Sequence, residues 1–547
     1  MKLSLLQRHP AFLSDFLISL ALLAAALWYS ATFFNYAIPP FEDAAMLMRY
    51  ADHLAHGAGI VWNPGERPVD GATDFLFMVS AAGLIKLGLP VGRAVRAIAF
   101  FSHLLTILLI YWANRRLWGT GPALAAISAL YLAVGTGFAY VTAFFGTPFF
   151  ALAGASTWTL GLLLTLREDP PPWLDLAFAL SGLVTGLIRP EGVILSTLML
   201  SAVLMLRGWK RSRRMLAIFV AVFLSLGGAY FLWRWHYFGY PLPNPFYKKG
   251  GGILHLDSLL SSLLNTARLC APFWPAFVLG FRTRPTARQS LAFLTPILGF
   301  ALAFVLISDE MNFGARFQYV LLPLVLLCWY PLVRGLASLW PPQPAGPGRG
   351  AWVAAGVLIT FGLLFYSGVQ NCFLSSPQQT CFATYDADGR YDVARMLSAY
   401  RDKGYVMATS EAGLLPFYSG WYAIDTWGLN DPWIAHHGEI TAEYLERYRP
   451  HLIVFHAYYS PLVPPRLSEK NLAQDWFRMT ITLKDYAETH GYILAAAFGD
   501  SPYDAHYYYV RPDFEDSAAI INRIEKMKYF WPLTGKKAIN YARLSNP

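Results

Sequence analysis

Charge is scarce in this 547-residue chain: Asp, Glu, Lys and Arg make up 14% of it, against roughly 25% in an ordinary soluble protein. Cysteine is scarcer still, with 4 residues, which excludes a disulfide-stapled secreted scaffold. HExxH and CxxC spacings do not occur, nor do the glycine patterns of Walker and dinucleotide-binding loops, so no metal ligands and no cofactor are expected and a cytosolic nucleotide site has no support. What the chain has instead is apolar residues, 55% of the total, and aromatics, 16%, including 18 Trp and 31 Tyr. Trp and Tyr gather where helix ends meet the membrane–water boundary. The composition is that of a polytopic α-helical membrane protein. The net charge of +9 is read first against cytoplasmic loops, where Lys and Arg collect, and nucleic acid is not an expected partner.

A bilayer crossing needs about 20 apolar residues. Twelve candidate segments fall at about 11–36, 73–89, 97–113, 120–136, 140–165, 173–188, 191–206, 215–235, 258–280, 289–307, 317–333 and 351–370, and a fold with about 11–12 apolar segments is expected. The first follows Lys2 and Arg8 with no small-residue cleavage site after it, and reads as a retained signal anchor. Arg207, Lys210, Arg211, Arg213 and Arg214 form the densest basic cluster and mark a cytoplasmic loop. Counting forward from it places 236–257, 308–316 and everything after 371 on the outer face. Counting back gives one segment too many, so one piece between 73 and 206 is expected to be a half-span. The pair 173–188 and 191–206, broken at Arg189-Pro190, is the first suspect.

The expected organisation is a membrane domain over 1–370 and a soluble α/β domain over 371–547, on the outer side of a cell inner (plasma) membrane. The first outer loop, 38–72, is acidic, and its stretch 42–56 predicts an amphipathic surface helix. In the tail, short apolar runs such as Tyr405–Ala408 and Leu452–Phe455 alternate with helical stretches, as in an α/β fold. Cys270 and Cys328 fall in spans; Cys372 and Cys381, close together in the outer compartment, are expected to be bridged.

Four clusters could carry chemistry, all on the same face. Glu42 and Asp43 follow the first span; adjacent carboxylates repel and raise one pKa, which suits a general base, while the alternative is an acidic pair at a helix N-terminus. Arg189-Pro190-Glu191-Gly192 puts charge inside an apolar stretch, where each ion costs roughly 2.5–3.5 kcal/mol unless it faces a cavity or a partner. Arg189 then either binds an anionic headgroup or closes a salt bridge with Glu191. The stiff run Tyr240-Pro241-Leu242-Pro243-Asn244-Pro245-Phe246-Tyr247-Lys248-Lys249 offers the Asn244 amide and two ammonium groups that could grip a phosphate, or else snorkelling lysines on a turn. The loop Asp309-Glu310-Met311-Asn312-Phe313-Gly314-Ala315-Arg316 places Arg316 at the mouth of the next span, ready for bidentate phosphate contact, or pairs internally.

These residues, in order, resemble the GT-C superfamily of polyprenyl-phosphate-dependent glycosyltransferases, and within it the branch of cell-wall terminal arabinofuranosyltransferases. The likeness is carried by Glu42-Asp43-Ala44-Ala45 with Arg49-Tyr50-Ala51, by Gly57-Ala58-Gly59-Ile60-Val61-Trp62-Asn63-Pro64-Gly65-Glu66-Arg67, by Gly186 to Gly192, by Leu242 to Lys248 and by Gly314-Ala315-Arg316-Phe317. In the tail, Glu411 to Gly420 and Asp425 to Pro432 belong to the same pattern. Two departures stand out: Glu42-Asp43 where the family usually has Asp-Asp, and Phe145-Gly146-Thr147-Pro148 where it often has an acid before Thr-Pro.

The resemblance implies an inverting transfer of a sugar from a polyprenyl-phosphate donor to a glycan, glycolipid or protein acceptor at the outer face of the bilayer. Asp43, with Glu42 beside it, is the expected base. Arg189, Lys248, Lys249 and Arg316 are expected on the donor phosphate, and Asn63, Arg67, Glu191, Asn244, Tyr247 and Glu310 around the substrates. A transporter or flippase of a lipid-linked sugar is the alternative, since it too needs a cationic groove and a broken helix.

Overall fold

The computed structural model describes residues 9–337, 388–460, 474–532 and 534–543. The expected span 351–370 and the pair Cys372 and Cys381 lie outside the described residues. Five described helices or helix runs are long and apolar enough to cross a bilayer: Phe12–Phe33, Val91–Leu117, Pro122–Thr142, Thr147–Leu166 and Trp209–Phe238. The chain is a multi-pass membrane protein.

In chain order the membrane part runs α1 (His9–Phe33), α2 (Glu42–Ala55), α3 (Phe75–Lys86), α4 (Val91–Leu117), α5 (Pro122–Ala133), α6 (Gly137–Thr142), α7 (Thr147–Leu166), α8 (Pro172–Ile188), α9 (Glu191–Arg207), α10 (Trp209–Val222), α11 (Gly228–Phe238), α12 (Asn244–Lys248), α13 (Leu256–Leu269), α14 (Trp274–Gly280), α15 (Arg284–Ala303) and α16 (Leu321–Ala337). A π-helical turn at Phe223–Gly227 joins α10 to α11. Leu224, Leu226, Leu232 and Trp235 stand exposed along this run, as lipid-facing residues do.

The pair broken at Arg189-Pro190 forms two helices of 17 residues each; α3, with 12 residues, is shorter still, and at 1.5 Å per residue it reaches about 18 Å of a roughly 30 Å hydrocarbon core. One expectation about spans is corrected. The expected single span 258–280 is split by a 3-10 turn at Ala271–Phe273, because Pro272 has no backbone N–H to continue a helix.

Helices α8 and α9 pack as an antiparallel hairpin, with Ser196 Oγ donating to Gly182 O at 2.9 Å. Gly192 has a structural reason here: a Cβ on it would lie 2.2 Å from Thr185 O. Arg189 leaves α8 in an extended conformation (φ −140°, ψ 140°), so the hairpin tip projects its charged residues sideways.

The tail carries a six-stranded sheet in the order β2-β1-β3-β5-β4-β6, from β1 (Val406–Thr409), β2 (Tyr422–Asp425), β3 (Leu452–Ala457), β4 (Ile493–Ser501), β5 (Asp504–Val510) and β6 (Ile539–Asn540). Strand β1 pairs parallel to β2 and β3, and the remaining pairs are antiparallel. The apolar runs expected at 405–408 and 452–455 are β1 and β3, and β3 is buried along nearly its whole length, as a central strand should be.

Helix α2 is held between the two parts. Its buried face, with Ala44, Ala45, Met48, Tyr50 and Ala51, packs on α3 and on the tail helix Leu414–Ser419. Arg49 fastens the junction: its guanidinium donates to Trp62 O at 2.8 Å, Pro416 O at 2.5 Å, Asn63 Oδ1 at 2.9 Å and Trp421 O at 3.1 Å. Burial pulls this guanidinium down to about 10, and four acceptors are what keep so buried a charge tolerable. Trp62 Nε1 donates to Ala423 O at 2.8 Å, and Tyr50 Oη to Asn430 Oδ1 at 3.0 Å.

Candidate active site

The start of α2 is pinned from below. Phe41 N donates to Ala143 O at 3.3 Å, and the Phe41 ring packs against Phe145 and Phe313 at 5.4 and 5.0 Å. Asp43 is thereby set facing the loop before α16. That loop turns through left-handed backbone at Met311 (φ 64°), Gly314 (φ 62°) and Ala315 (φ 55°), conformations that non-glycine residues hold only under constraint from their surroundings. The constraint is visible: Tyr140 Oη donates to Gly314 O at 2.5 Å, Phe317 N to Asn312 Oδ1 at 3.1 Å, Asn312 Nδ2 to Gln318 Oε1 at 2.7 Å, and the buried Gln318 Nε2 to Ser262 Oγ at 3.0 Å.

Held this way, Arg316 Nη2 donates to Asp43 Oδ2 at 2.5 Å. Its guanidinium lies over the rings of Phe145 at 4.2 Å and Phe317 at 5.0 Å. The Phe317 ring also carries Arg189 at 4.8 Å, so one aromatic ring braces two guanidinium groups. Arg189 Nη1 donates to Asp74 Oδ1 at 2.7 Å and Nη2 to Glu191 Oε1 at 2.9 Å. The salt bridge to Glu191, one of the two readings of the Arg189 motif, forms, and the pair lies beside the charged cluster. Lys249 Nζ donates to Glu310 O at 3.2 Å and stands 3.8 Å from the Glu310 carboxylate. Burial pulls its ammonium below the ordinary lysine value, with Asp43, Arg316 and Arg189 all in electrostatic range.

Three cations and four carboxylates thus meet: Arg189, Lys249 and Arg316 with Asp43, Asp74, Glu191 and Glu310. Each cation already has a carboxylate partner, so an arriving anion must exchange with one. Arg316 Nε and Glu191 Oε2 are buried without a hydrogen-bond partner among the described residues, leaving the cluster donor and acceptor capacity to spare.

Six other expected site residues are placed elsewhere. Glu42 turns away from Asp43 and accepts from the backbone N–H groups of Gly413 and of Leu414, the latter at 3.1 Å. Its second oxygen lies 3.4 Å from Arg390. Burial pushes the Glu42 carboxyl up to about 8, against the pull of Arg390. Lys248 Nζ donates to Gly438 O and sits over the Trp427 ring at 4.1 Å, so it faces the tail. Tyr247 packs on His436 of the tail at 4.4 Å. Asn244 is buried, its N–H donating to Asp70 O at 3.0 Å. The Asn63 side chain is taken up by Arg49, Glu66 and both backbone groups of Ala423, at the rim of a cleft of about 320 Å³ between outer loop and tail. Arg67 is exposed.

Sequence reasoning missed Asp74, Phe145 and Phe317. An acid just before an apolar run was the available signal for Asp74. It also missed a second group of polar residues, in the tail, where Glu411, His456 and His506 come together.

Comparison with known proteins bears on the fold. Residues 382–511 match a domain of unknown function, DUF8728. No curated protein matches the chain at the sequence level. The crystal structure of ArnT from Cupriavidus metallidurans in the apo state superposes with a TM-score of 0.57 at 16% identity, covering 91% of this chain and 98% of that one. The same protein bound to undecaprenyl phosphate gives a TM-score of 0.55 at 14% identity, covering 89% and 97%. The arabinofuranosyltransferase AftD from Mycobacteria gives 0.48 at 16% identity, covering 91% and 40%. The chain shares the fold of the ArnT structure along most of its length.

Proposed function

We propose that the chain is a glycosyltransferase that takes a sugar from a polyprenyl-phosphate donor at the outer face of the membrane and passes it, with inversion, to a hydroxyl of a glycan, glycolipid or protein acceptor. The observation that carries this reading is the contact between Asp43 and Arg316 inside a cluster of buried cations beside apolar helices. The fold supports it, since ArnT, one of the similar solved structures, has been determined bound to undecaprenyl phosphate.

In this mechanism the donor phosphate displaces carboxylates from Arg316, Arg189 and Lys249. Asp43, released from Arg316, accepts the proton of the acceptor hydroxyl as that oxygen attacks the anomeric carbon. The bond from the anomeric carbon to the phosphate oxygen breaks, and polyprenyl phosphate departs with the electron pair. Charge developing on it is met by fixed guanidinium and ammonium groups, which need no reorganisation at the moment of reaction. No general acid is required, because a phosphate is already a competent leaving group.

The test is release of polyprenyl phosphate from a lipid-linked sugar donor by the purified protein. Wild type should turn over, and Asp43→Asn should lose about 10²–10⁴-fold while keeping its fold. Full activity in Asp43→Asn would refute the assignment of the base. Donor crossing the bilayer without cleavage would make the protein a transporter. The outer placement of the tail is checked by reporter fusions at Gly208 and within the tail, which should report opposite compartments.

A further inference from the structure

We propose that the tail holds a divalent transition-metal ion, Zn²⁺ by ligand preference, on Glu411, His456 and His506. The three lie far from Asp43's partners in sequence and have no part in the transfer mechanism above. His456 and His506 are directly opposite each other on the antiparallel strands β3 and β5, so both side chains leave the same face of the sheet. Glu411 is brought against them by the turn after β1, which Ser410 ties to β3 through its N–H to Val454 O and its Oγ accepting from His456 N, both at 3.0 Å. One ligand atom from each residue lies within 4.8 Å of the others.

The spacing suits a bridging ion better than a direct contact. His506 Nε2 and Glu411 Oε2 are 3.8 Å apart, beyond hydrogen-bond length. Two metal bonds of about 2.0–2.1 Å at a tetrahedral angle set ligand atoms about 3.3–3.4 Å apart, a closure of roughly half an ångström. His456, the partly exposed member, closes the wider gap by rotating its ring.

Each histidine has an outer partner. His506 Nδ1 is 2.7 Å from Tyr529 Oη; the tautomer protonated at Nδ1 donates to that oxygen and leaves the Nε2 lone pair toward Glu411. His456 Nε2 contacts the Asp504 carboxylate, the kind of carboxylate–histidine pair that orients metal-binding rings. The Trp531 ring closes over both, at 4.7 and 5.5 Å from the two imidazoles.

Charge supplies a second, independent argument. Arg390 is surrounded by Asp388 at 2.7 Å, Glu411 at 2.5 Å and Glu42 at 3.4 Å, and all four side chains are largely buried. Asp388 and Glu411 share one guanidinium, which leaves an excess of negative charge even with the Glu42 carboxyl protonated, in a place where unpaired charge is costly. A cation on Glu411 offsets that excess. It would also cross-link β1, β3 and β5 and stiffen the turn whose Gly413 and Leu414 N–H groups hold Glu42. All three ligands fall within the stretch 382–511 matched by the domain of unknown function.

The experiment is zinc binding by the full-length protein in detergent, stripped with a chelator and dialysed against ZnCl₂, with metal content measured by mass spectrometry and Co²⁺ substitution read by its visible absorption. One Zn²⁺ per chain is expected, with a higher melting temperature on its return. His456→Asn, a mild change at a partly exposed position, and Glu411→Gln should both lose the ion, while Tyr529→Phe should weaken it by about 10–100-fold. Wild-type protein that takes up no Zn²⁺ at micromolar free metal overturns the proposal. So does full occupancy in both His456→Asn and Glu411→Gln, which would put the ion at another site.

Discussion

Arg316 Nη2 lies 2.5 Å from Asp43 Oδ2, so the group assigned to the donor phosphate and the group assigned to the acceptor's proton hold each other. In the proposed mechanism a phosphate that takes over Arg316 releases Asp43, so that base action follows donor binding.

The competition between Asp43 and the phosphate for Arg316 can be measured. Asp43→Asn should bind polyprenyl phosphate about tenfold more tightly than wild type, the scale of one charged hydrogen bond no longer displaced, even though turnover is lost. Arg316→Ala should weaken binding, and Arg316→Lys should recover only part of it, because the planar fork that lies over Phe145 and Phe317 is gone. Equal lipid-phosphate affinity in wild type and Asp43→Asn would show that the ion pair does not gate the site.

Glu42 and Asp43 should respond oppositely to the same chemical change. Glu42→Gln keeps an oxygen to accept from Gly413 and Leu414 and removes a carboxylate that burial already pushes up to about 8. Turnover and melting temperature should stay near wild type. Glu42→Ala should lower the melting temperature, since two buried N–H groups lose their acceptor at about 1–3 kcal/mol each. A tenfold drop in turnover for Glu42→Gln would return Glu42 to the reacting groups.

Docking of the tail on the outer loop should depend on Arg49. Arg49→Ala removes the donors to Trp62, Pro416, Asn63 and Trp421 together, with an expected cost of about 3 kcal/mol or more from buried acceptors left unpaired. Hydrogen exchange should rise over residues 416–423 and 60–63 at once. Arg49→Lys should not restore protection, because a point ammonium cannot span four acceptors.

Acid should loosen the tail through His451. Its Nδ1 accepts from Val406 N at 3.0 Å, which requires the neutral ring, and burial, helped by Arg511, pulls its pKa down to about 4. A histidine lowered in the folded state contributes stability that is complete above its unfolded value near 6.5 and is lost as pH falls toward 4. The melting temperature should therefore drop across that window, and His451→Asn, which keeps an acceptor but does not titrate, should show a shallower fall. Identical slopes would assign the acid sensitivity to other groups.

The sequence by itself determined the class of molecule. Partition into a bilayer depends on local composition summed over about 20 residues, so most helices were visible as apolar runs, and the tail strands β1 and β3 as short ones. It also offered contacts between near neighbours, such as Arg189 with Glu191, as one of two readings. What it did not determine was which side of each element a residue faces. Successive residues on a helix point about 100° apart, so adjacent identical chemistry can serve two different surroundings: Asp43 meets Arg316 while Glu42 meets the tail, and Lys249 meets Glu310 while Lys248 meets Trp427. Partners distant in the chain were likewise invisible, because Asp74 is 115 positions from Arg189 and His456 meets His506 only through the register of β3 on β5. Those choices were made by packing, where the burial of α2 between membrane helices and tail left each carboxylate only one direction with a donor to meet it.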